Sequence, residues 1–246
     1  MRLTILPILP LSAAFSLSPQ YLFSNPNSHG PNPAELSTTT FPTVHDSAVL
    51  GRRILHLESI GTLSTIFPSS SSHDAFTLEN RPPSVAGTPV GLMDYIADCE
   101  PSTGNPTLLA ITIATSFKNV AAGSNITLSL RWHAPYKTYS AAAMPRLSLI
   151  GHLENIDPSL IEAKELSKCF VKNHKDAVWW LPGNRIHESK WVRLVVDEVY
   201  WIGGFGNVAY IGWIPGEVWR NVTLEEIEEA RLPGEKKGWS LLGYEL

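Results

Sequence analysis

Apolar residues occupy every second position in several short segments of the chain, and polar connections rich in Gly, Pro and Ser separate those segments. A period of two places the apolar side chains on one face of an extended strand. The pattern therefore predicts six to seven strands. Their segments are LSTIF (63–67), GLMDYIADC (91–99), PTLLAITIAT (106–115), SNITLSLRW (124–132), PRLSLIGHLENI (145–156), KWVRLVVDEVYWI (190–202) and NVAYIGWI (207–214).

Helical spacing of apolar residues appears in three places. Thr43 and Asp46 match a capping box, and apolar residues follow at helical spacing up to Gly61, where we expect the helix to end. Asp157 is expected to cap a second helix, and Thr223 opens a short acidic one in capping-box form. The predicted apolar face of the second helix comprises Leu160, Ala163, Leu166 and Phe170.

Strands outnumber helices and do not alternate regularly with them. This order favours a mostly β fold of the α+β class, an antiparallel barrel with peripheral helices, over a parallel βαβ sheet.

The stretch from Gly204 to Ala209, GFGNVA, matches the dinucleotide-binding pattern G-x-G-x-x-G/A. That pattern binds a pyrophosphate only where the glycines open a helix within a βαβ unit. The residues that follow are β-branched and aromatic, and Pro215 ends the run. We therefore predict a sharp bend or bulge between two strands at these glycines.

Composition narrows the classes of partner. The chain has 246 residues, of which 43% are hydrophobic and 17% charged, with a net charge of −4. That charge gives no basic field for nucleic acid, and no segment reaches the length of a membrane span.

The amino terminus has the form of a signal peptide over residues 1–16, with Arg2 before a short apolar run and small residues after it. Residues 17–42 are rich in Ser, Pro and Asn and predict a flexible lead. The folded domain is expected over residues 43–223, and a C-terminal helix and tail over 224–246.

Two N-glycosylation sequons, at Asn125 and Asn221, agree with a secretory route. The only cysteines are Cys99 and Cys169. Their spacing is compatible with one disulfide and equally with two buried thiols.

Motifs of common catalytic and metal sites are missing from the sequence. There is no G-x-S-x-G elbow, and the eight histidines form no H-x-H or H-E-x-x-H pair. We predict neither a catalytic residue nor a metal site. His174 and His187 flank Trp179-Trp180 and are candidates for axial haem ligands, with surface or capping histidines as the alternative.

The order of motifs resembles the CREG-type β-barrel family, within the FMN-binding split-barrel superfamily that includes the pyridoxamine 5'-phosphate oxidases. The resemblance covers roughly residues 46–223. Its pieces are GTLSTIF, PTLLAITIATSFKNV, ITLSLRW, PRLSLIGHLENI, LSKCFVKNHKDAVWW, WVRLVVDEVYWIGGFGNVAYI and WRNVT. It implies a six-stranded split barrel, a homodimer with a ligand groove at the subunit interface, and a secreted or endolysosomal glycoprotein.

The resemblance also suggests residues that would hold a flavin. The candidates for its phosphate are Thr115, Ser116, Lys118 and Arg146. The candidates for ring contacts are Trp180, Gly204 and Phe205. The oxidases place an arginine and a lysine side by side where this chain has Lys118 alone, and the groove of the CREG branch is generally considered unable to take FMN.

The sequence therefore predicts a secreted split-barrel glycoprotein that serves as a non-catalytic ligand-binding or interaction module. An FMN-dependent oxidoreductase is the alternative, and a haem-binding split barrel is a third interpretation.

Overall fold

The computed structural model describes residues 41–69, 81–135, 140–157, 161–184, 187–206 and 208–235. The predicted signal peptide, nearly all of the predicted lead and the last eleven residues of the tail lie outside these ranges.

Seven antiparallel strands form one curled sheet. They are β1 (Ile60–Ile66), β2 (Pro89–Tyr95), β3 (Thr107–Ile111), β4 (Ile126–Arg131), β5 (Arg146–Asn155), β6 (Ser189–Ile202) and β7 (Ile211–Pro215). Six of them follow the order β2-β1-β4-β5-β6-β3.

The sheet curls into a split barrel because β6 has three partners. It pairs with β5 on one edge, and on the other edge its first half pairs with β3 and its last residues pair with β7. A bridge between Ala97 and Thr107 connects the segment after β2 to β3 and so joins the two ends of the six-strand path. The predicted six-stranded antiparallel split barrel is confirmed.

The alternation seen in the sequence fills the barrel. Inward-facing side chains of the central strands are buried, whereas their neighbours along each strand are at least partly exposed. The apolar members of this interior include Leu63, Leu108, Leu128, Leu147, Leu149, Val199 and Trp201.

Five α-helices are present among the described residues. They are α1 (Val44–Leu57), α2 (Thr115–Ala121), α3 (Ile161–Asn173), α4 (Gly216–Arg220) and α5 (Leu224–Glu229). Both predicted capping boxes form, at Thr43 with Asp46 and at Thr223 with Glu226. Asp157, the predicted cap of α3, precedes residues 158–160, which lie outside the described ranges, so this cap stays a prediction.

Several predicted element boundaries are wrong. The strand predicted for 91–99 ends at Tyr95, and the strand predicted for 207–214 begins at Ile211. Gly61 does not end α1, which stops at Leu57; it lies inside β1, where an added Cβ would come within 2.4 Å of Leu128 Cδ1. The strand predicted for 106–115 ends at Ile111, and Thr115 begins α2.

The sequence of α2 explains why it is a helix. Ala114, Phe117 and Val120 recur at every third position and all pack against the barrel core, which an extended strand could not achieve. Asn119 fixes the helix to β1 through a hydrogen bond from Nδ2 to Thr65 Oγ1 (3.0 Å).

Helix α1 lies at one end of the barrel and carries two fully buried arginines, Arg52 and Arg53. Arg52 donates from Nη1 to the carbonyl of Trp219 (2.9 Å) and from Nη2 to the carbonyl of Pro101, and its guanidinium lies 5.5 Å from the Trp219 ring. Burial lowers the pKa of Arg52, and the nearby Asp98 carboxylate opposes that shift. These contacts fix the segment from residue 98 to 105 against α1 and α4.

A second apolar cluster lies outside the barrel, between α3 and the strands β3 and β6. It comprises Ala97, Leu109, Ile156, Leu166, Phe170, Ala177 and Trp191. A disulfide joins Cys99 to Cys169 at its edge, which decides between the two alternatives left by the sequence. The bond ties α3 to the segment that follows β2.

In the described ranges no helix is both long and apolar enough to cross a bilayer.

Candidate functional site

The outward side chains of six strands form a continuous exposed surface, which we call the outer sheet face. Cross-strand pairing sets them in three rows. The middle row is Met93, Thr62, Ser129, Ser148, Tyr200 and Trp213. One flanking row is Gly91, Ser64, Thr127, Ile150, Glu198 and Pro215, and the other comprises Ile60, Arg131, Arg146, Ile202 and Ile211.

The centre of the outer sheet face is built from small hydroxyl side chains. Ser129 and Ser148 lie opposite each other with their Oγ atoms 2.8 Å apart. Large apolar groups stand at the two sides of this centre: Met93 is 79% exposed and Trp213 is 56% exposed. A shallow centre with apolar margins lets another surface approach closely and buries apolar area when it does.

The aromatic margin is ordered by its own contacts. The Tyr200 and Trp213 rings pack edge to face, with their centroids 5.1 Å apart. Tyr210 supports the neighbouring strand, since its hydroxyl donates to the carbonyl of Trp213 (2.8 Å).

The predicted phosphate residues fall in two separate places. Thr115, Ser116 and Lys118 belong to α2, which precedes the first residue of β4, and the Ser116 side chain is buried. Arg146, the first residue of β5, pairs with Arg131, which is the last residue of β4. Within one chain, therefore, the structure does not bring Arg146 together with the residues of α2.

The predicted ring contacts are also divided. Gly204 and Phe205 form the turn between β6 and β7. This turn lies beside Arg146, because both approach the segment before β5. Arg146 donates to the carbonyl of Ala142 (3.0 Å), and an added Cβ on Gly204 would lie 3.0 Å from the carbonyl oxygen of Ala143. Trp180 packs against the second apolar cluster, at the opposite end of β6.

The glycine-rich turn has the geometry that the sequence predicts. Gly204 has a φ of +145°, a conformation that favours glycine. The amide of Gly203 donates to the carbonyl of Tyr210 (3.0 Å), and the chain then enters β7, antiparallel to β6. The prediction of a sharp bend is confirmed, and no dinucleotide-binding helix begins here.

His174 is a buried member of the second cluster region. Its ring stacks on Tyr95 with centroids 4.1 Å apart, and its Nε2 lies 2.8 Å from the carbonyl of Ile96. Burial lowers the pKa of His174, although the hydrogen bond to Ile96 and the charge of Asp176 oppose the shift. The neutral ring thus donates from Nε2, the atom that a haem iron would otherwise use. His187 lies in the segment before β6.

A depression between α1 and α5 has a volume of about 520 Å³. His45 bonds Glu226 across it, with Nε2 2.7 Å from Oε1. Asp46 and Glu229 also line it. Its carboxylates disfavour an anionic ligand such as FMN or haem.

Both sequon asparagines are exposed. Asn125 precedes β4 and Asn221 follows α4. Neither lies in the rows of the outer sheet face.

The sequence missed the outer sheet face as a site. The signal was present in the polar members of each alternating strand, such as Thr62, Ser129 and Ser148, but their alignment depends on strand order and register. Arg131 was missed for the same reason, because nothing local places it opposite Arg146.

A family model described as CREG, beta-barrel matches residues 42–221. The chain belongs to the CREG family. Among solved structures, this CREG-family chain is similar to a haem-binding protein from Mycobacterium smegmatis, with a TM-score of 0.53 and 19% identity over 73% of this chain and 60% of that one. A second solved structure has a TM-score of 0.54 and 16% identity over 72% of this chain and 97% of that one.

The CREG-family chain thus spans 60% of the length of the Mycobacterium smegmatis protein, and at these identities the likeness concerns the fold. A protein of unknown function from Agrobacterium tumefaciens str. C58 gives a TM-score of 0.48 and 20% identity over 74% of this chain and 60% of that one. No curated protein sequence matches the chain.

His174 should make the stability of the protein depend on pH. Its pKa is lowered on folding, so the unfolded chain, with an ordinary histidine pKa of about 6.5, binds the proton more readily. The free energy of unfolding should therefore fall as the pH drops below about 6.5. We expect His174→Gln to flatten this dependence between pH 7 and pH 5 in urea unfolding experiments. Equal slopes in wild type and His174→Gln would contradict the assignment.

Proposed function

We propose that this CREG-family protein is a homodimeric ligand-binding module that holds a small planar ligand beside the outer sheet face and performs no chemistry of its own. The single observation that carries the proposal is the outer sheet face itself. It combines a partly exposed hydroxyl centre, exposed apolar margins and a cationic end on one sheet.

The filled barrel supports a ligand site on the outside. Leu63, Leu128 and Leu149 have no exposed surface and pack with one another and with Trp201 in one cluster. Protein interiors are packed as densely as organic crystals, so buried side chains of this kind argue against a flavin or a porphyrin among them. A ligand of that size would have to bind between the barrel and another surface.

A second copy of the chain is the surface we propose. At the centre of the outer sheet face Thr62, Ser129 and Ser148 carry small side chains, so no bulky group there would keep a second surface away. A twofold-related copy would cover the exposed Tyr200 and Trp213 on both protomers. The resemblance to split barrels with a groove at the subunit interface points to the same arrangement.

Five of the described histidines are held by polar partners. His56 Nδ1 lies 3.0 Å from Asp98 Oδ2. Four other described histidines also have a ring nitrogen within hydrogen-bonding distance of an oxygen atom. His45 faces Glu226, His133 faces Glu58, His152 faces Asp197 and His174 faces the carbonyl of Ile96. In the residues that the structure describes, no three His, Cys, Asp or Glu side chains converge as a metal site.

Haem and FMN are the two ligands to compare. The Mycobacterium smegmatis protein of similar fold is a haem-binding protein, which favours haem as one candidate. The sequence offers Lys118 of α2 and Arg146 as candidate cations for the FMN phosphate, and a bound flavin would supply redox chemistry. Lys118 precedes the first residue of β4, whereas Arg146 pairs with the last residue of that strand, so the two could contact one flavin only if they came from different protomers.

The proposed dimer predicts the effect of a charge at the centre of the outer sheet face. Ser148→Arg should convert the dimer to a monomer in sedimentation velocity experiments at micromolar concentration, because a buried unpaired cation is costly at an interface. Ser102→Arg makes the same change at an exposed loop position and should leave the dimer intact. A wild-type protein that sediments only as a monomer would contradict the proposal.

Ligand binding can be tested by the visible spectrum. We expect the protein purified from a secretory host to bind haem or FMN with one saturable site per protomer, and the bound ligand to remain chemically unchanged on addition of common oxidase substrates. Turnover of pyridoxamine 5'-phosphate by the FMN-loaded protein would favour the oxidoreductase. Absence of any spectral response to either compound would contradict a planar-ligand module.

We further propose that the chain passes through the secretory pathway. The exposed sequons and the Cys99–Cys169 disulfide support this, since structural disulfides persist in oxidising compartments. Expressed in cultured eukaryotic cells, the protein should lose mass on treatment with an N-glycan-removing enzyme. The double variant Asn125→Gln/Asn221→Gln should show no such loss, and an unchanged wild-type mass would contradict this route.

A further inference from the structure

Two arginines stand directly opposite each other at one end of the outer sheet face. Arg131 closes β4, Arg146 opens β5, and the two are a cross-strand pair. Like charges in directly opposed positions destabilise a sheet. In the described residues neither guanidinium forms an ion pair with a carboxylate.

Arg146 is held in place by backbone oxygens. Its Nη1 donates to the carbonyl of Ala142 (3.0 Å) and, at 3.5 Å, to that of Met144. These bonds use one nitrogen of the guanidinium and hold the side chain beside the turn of Gly204 and Phe205.

Arg131 is held by a histidine. Its Nε donates to His133 Nε2 at 2.8 Å. A guanidinium nitrogen can only donate, so His133 Nε2 must accept and the ring proton must lie on Nδ1, where it faces Glu58 Oε2 at 2.8 Å. Glu58 also accepts from the backbone amide of His133 (2.7 Å), which fixes the histidine.

The fixed geometry leaves a positive charge directed outward. The neutral ring of His133 lies between Glu58 and Arg131, so the Glu58 carboxylate forms no direct ion pair with the Arg131 guanidinium. The terminal nitrogens of Arg131 and part of the Arg146 fork are available to a bidentate acceptor.

Apolar side chains continue from the arginine pair. Ile202 lies next to Arg146 across the sheet, and Ile211 lies next to Ile202. Ile211 is 37% exposed, and Phe205 in the adjoining turn is 47% exposed. A cationic pair beside an apolar strip matches a ligand with a doubly charged anionic end and an apolar body.

We propose that Arg131 and Arg146 together form the anion site of this protein and bind the phosphate or paired carboxylates of an organic ligand whose body lies along Ile202 and Ile211. The proposal rests on the proposed function for the nature of the body. FMN carries a phosphate and haem carries two propionates, so the shared chemistry is a dianionic group on a planar ring system.

Matched ligands that lack the anionic group provide the test. For wild type, FMN should bind more tightly than riboflavin, or haem more tightly than its dimethyl ester, by about tenfold or more, the scale of one charge-assisted contact. Arg131→Gln and Arg146→Gln should each remove most of that preference while leaving the affinity for riboflavin or the ester unchanged. Arg231→Gln, at an exposed site after α5, should behave as wild type.

Inorganic phosphate separates this inference from the proposed function. Millimolar phosphate should shift the arginine side-chain NMR signals of the wild-type protein and should leave the Arg131→Gln/Arg146→Gln protein unaffected. That result would support the anion site even if neither planar ligand bound. Equal affinities for FMN and riboflavin and for haem and its ester, or a phosphate response retained by the double variant, would overturn the anion site while leaving a planar-ligand module intact.

Discussion

The alternation of side chains along the central strands is the constraint on which this structure depends. Because β1, β4 and β5 each bury every second residue, the interior fills with leucines such as Leu63, Leu128 and Leu149. The same alternation directs Thr62, Ser129 and Ser148 outward in one row. An interior filled by these side chains favours a partner or ligand site on the outside of the barrel, and the proposed dimer and anion site both rest on that division.

The ends of the sheet are fixed by contacts of a different kind. Arg52 joins α1 to the carbonyls of Trp219 and Pro101, and the Trp219 indole donates to the carbonyl of Gly104 (2.9 Å). The disulfide adds a covalent tie between Cys99 and α3. Both stabilise the segment between β2 and β3, which carries the bridge that closes the barrel. The outer sheet face therefore adjoins a framework that is tied at the segment between β2 and β3.

Local patterns in the sequence predicted much of this framework. The strand-like segments of the sequence overlap all seven strands, although β3 is buried at four consecutive positions and does not alternate. The capping boxes at Thr43 and Thr223 form where the sequence predicts them. The wrong predictions have local causes too. The sequence does not indicate α2, because its residues follow a strand without a turn signal. Gly61 has the position of a helix end in the sequence, but in the structure its missing side chain avoids a collision with Leu128. The rows of the outer sheet face could not be predicted, because the meeting of Arg131 and Arg146 depends on register between strands.

Side-chain footprinting by hydroxyl radicals tests most directly whether a second copy covers the outer sheet face. Met93, Tyr200 and Trp213 are exposed and readily oxidised, and Trp179, outside that face, is 65% exposed and serves as an internal reference. Raising the protein concentration from the nanomolar to the micromolar range should protect the first three residues and leave the oxidation of Trp179 constant. Oxidation of Met93, Tyr200 and Trp213 that does not change with concentration while the protein is a dimer would show that the subunits meet elsewhere, and would contradict the account.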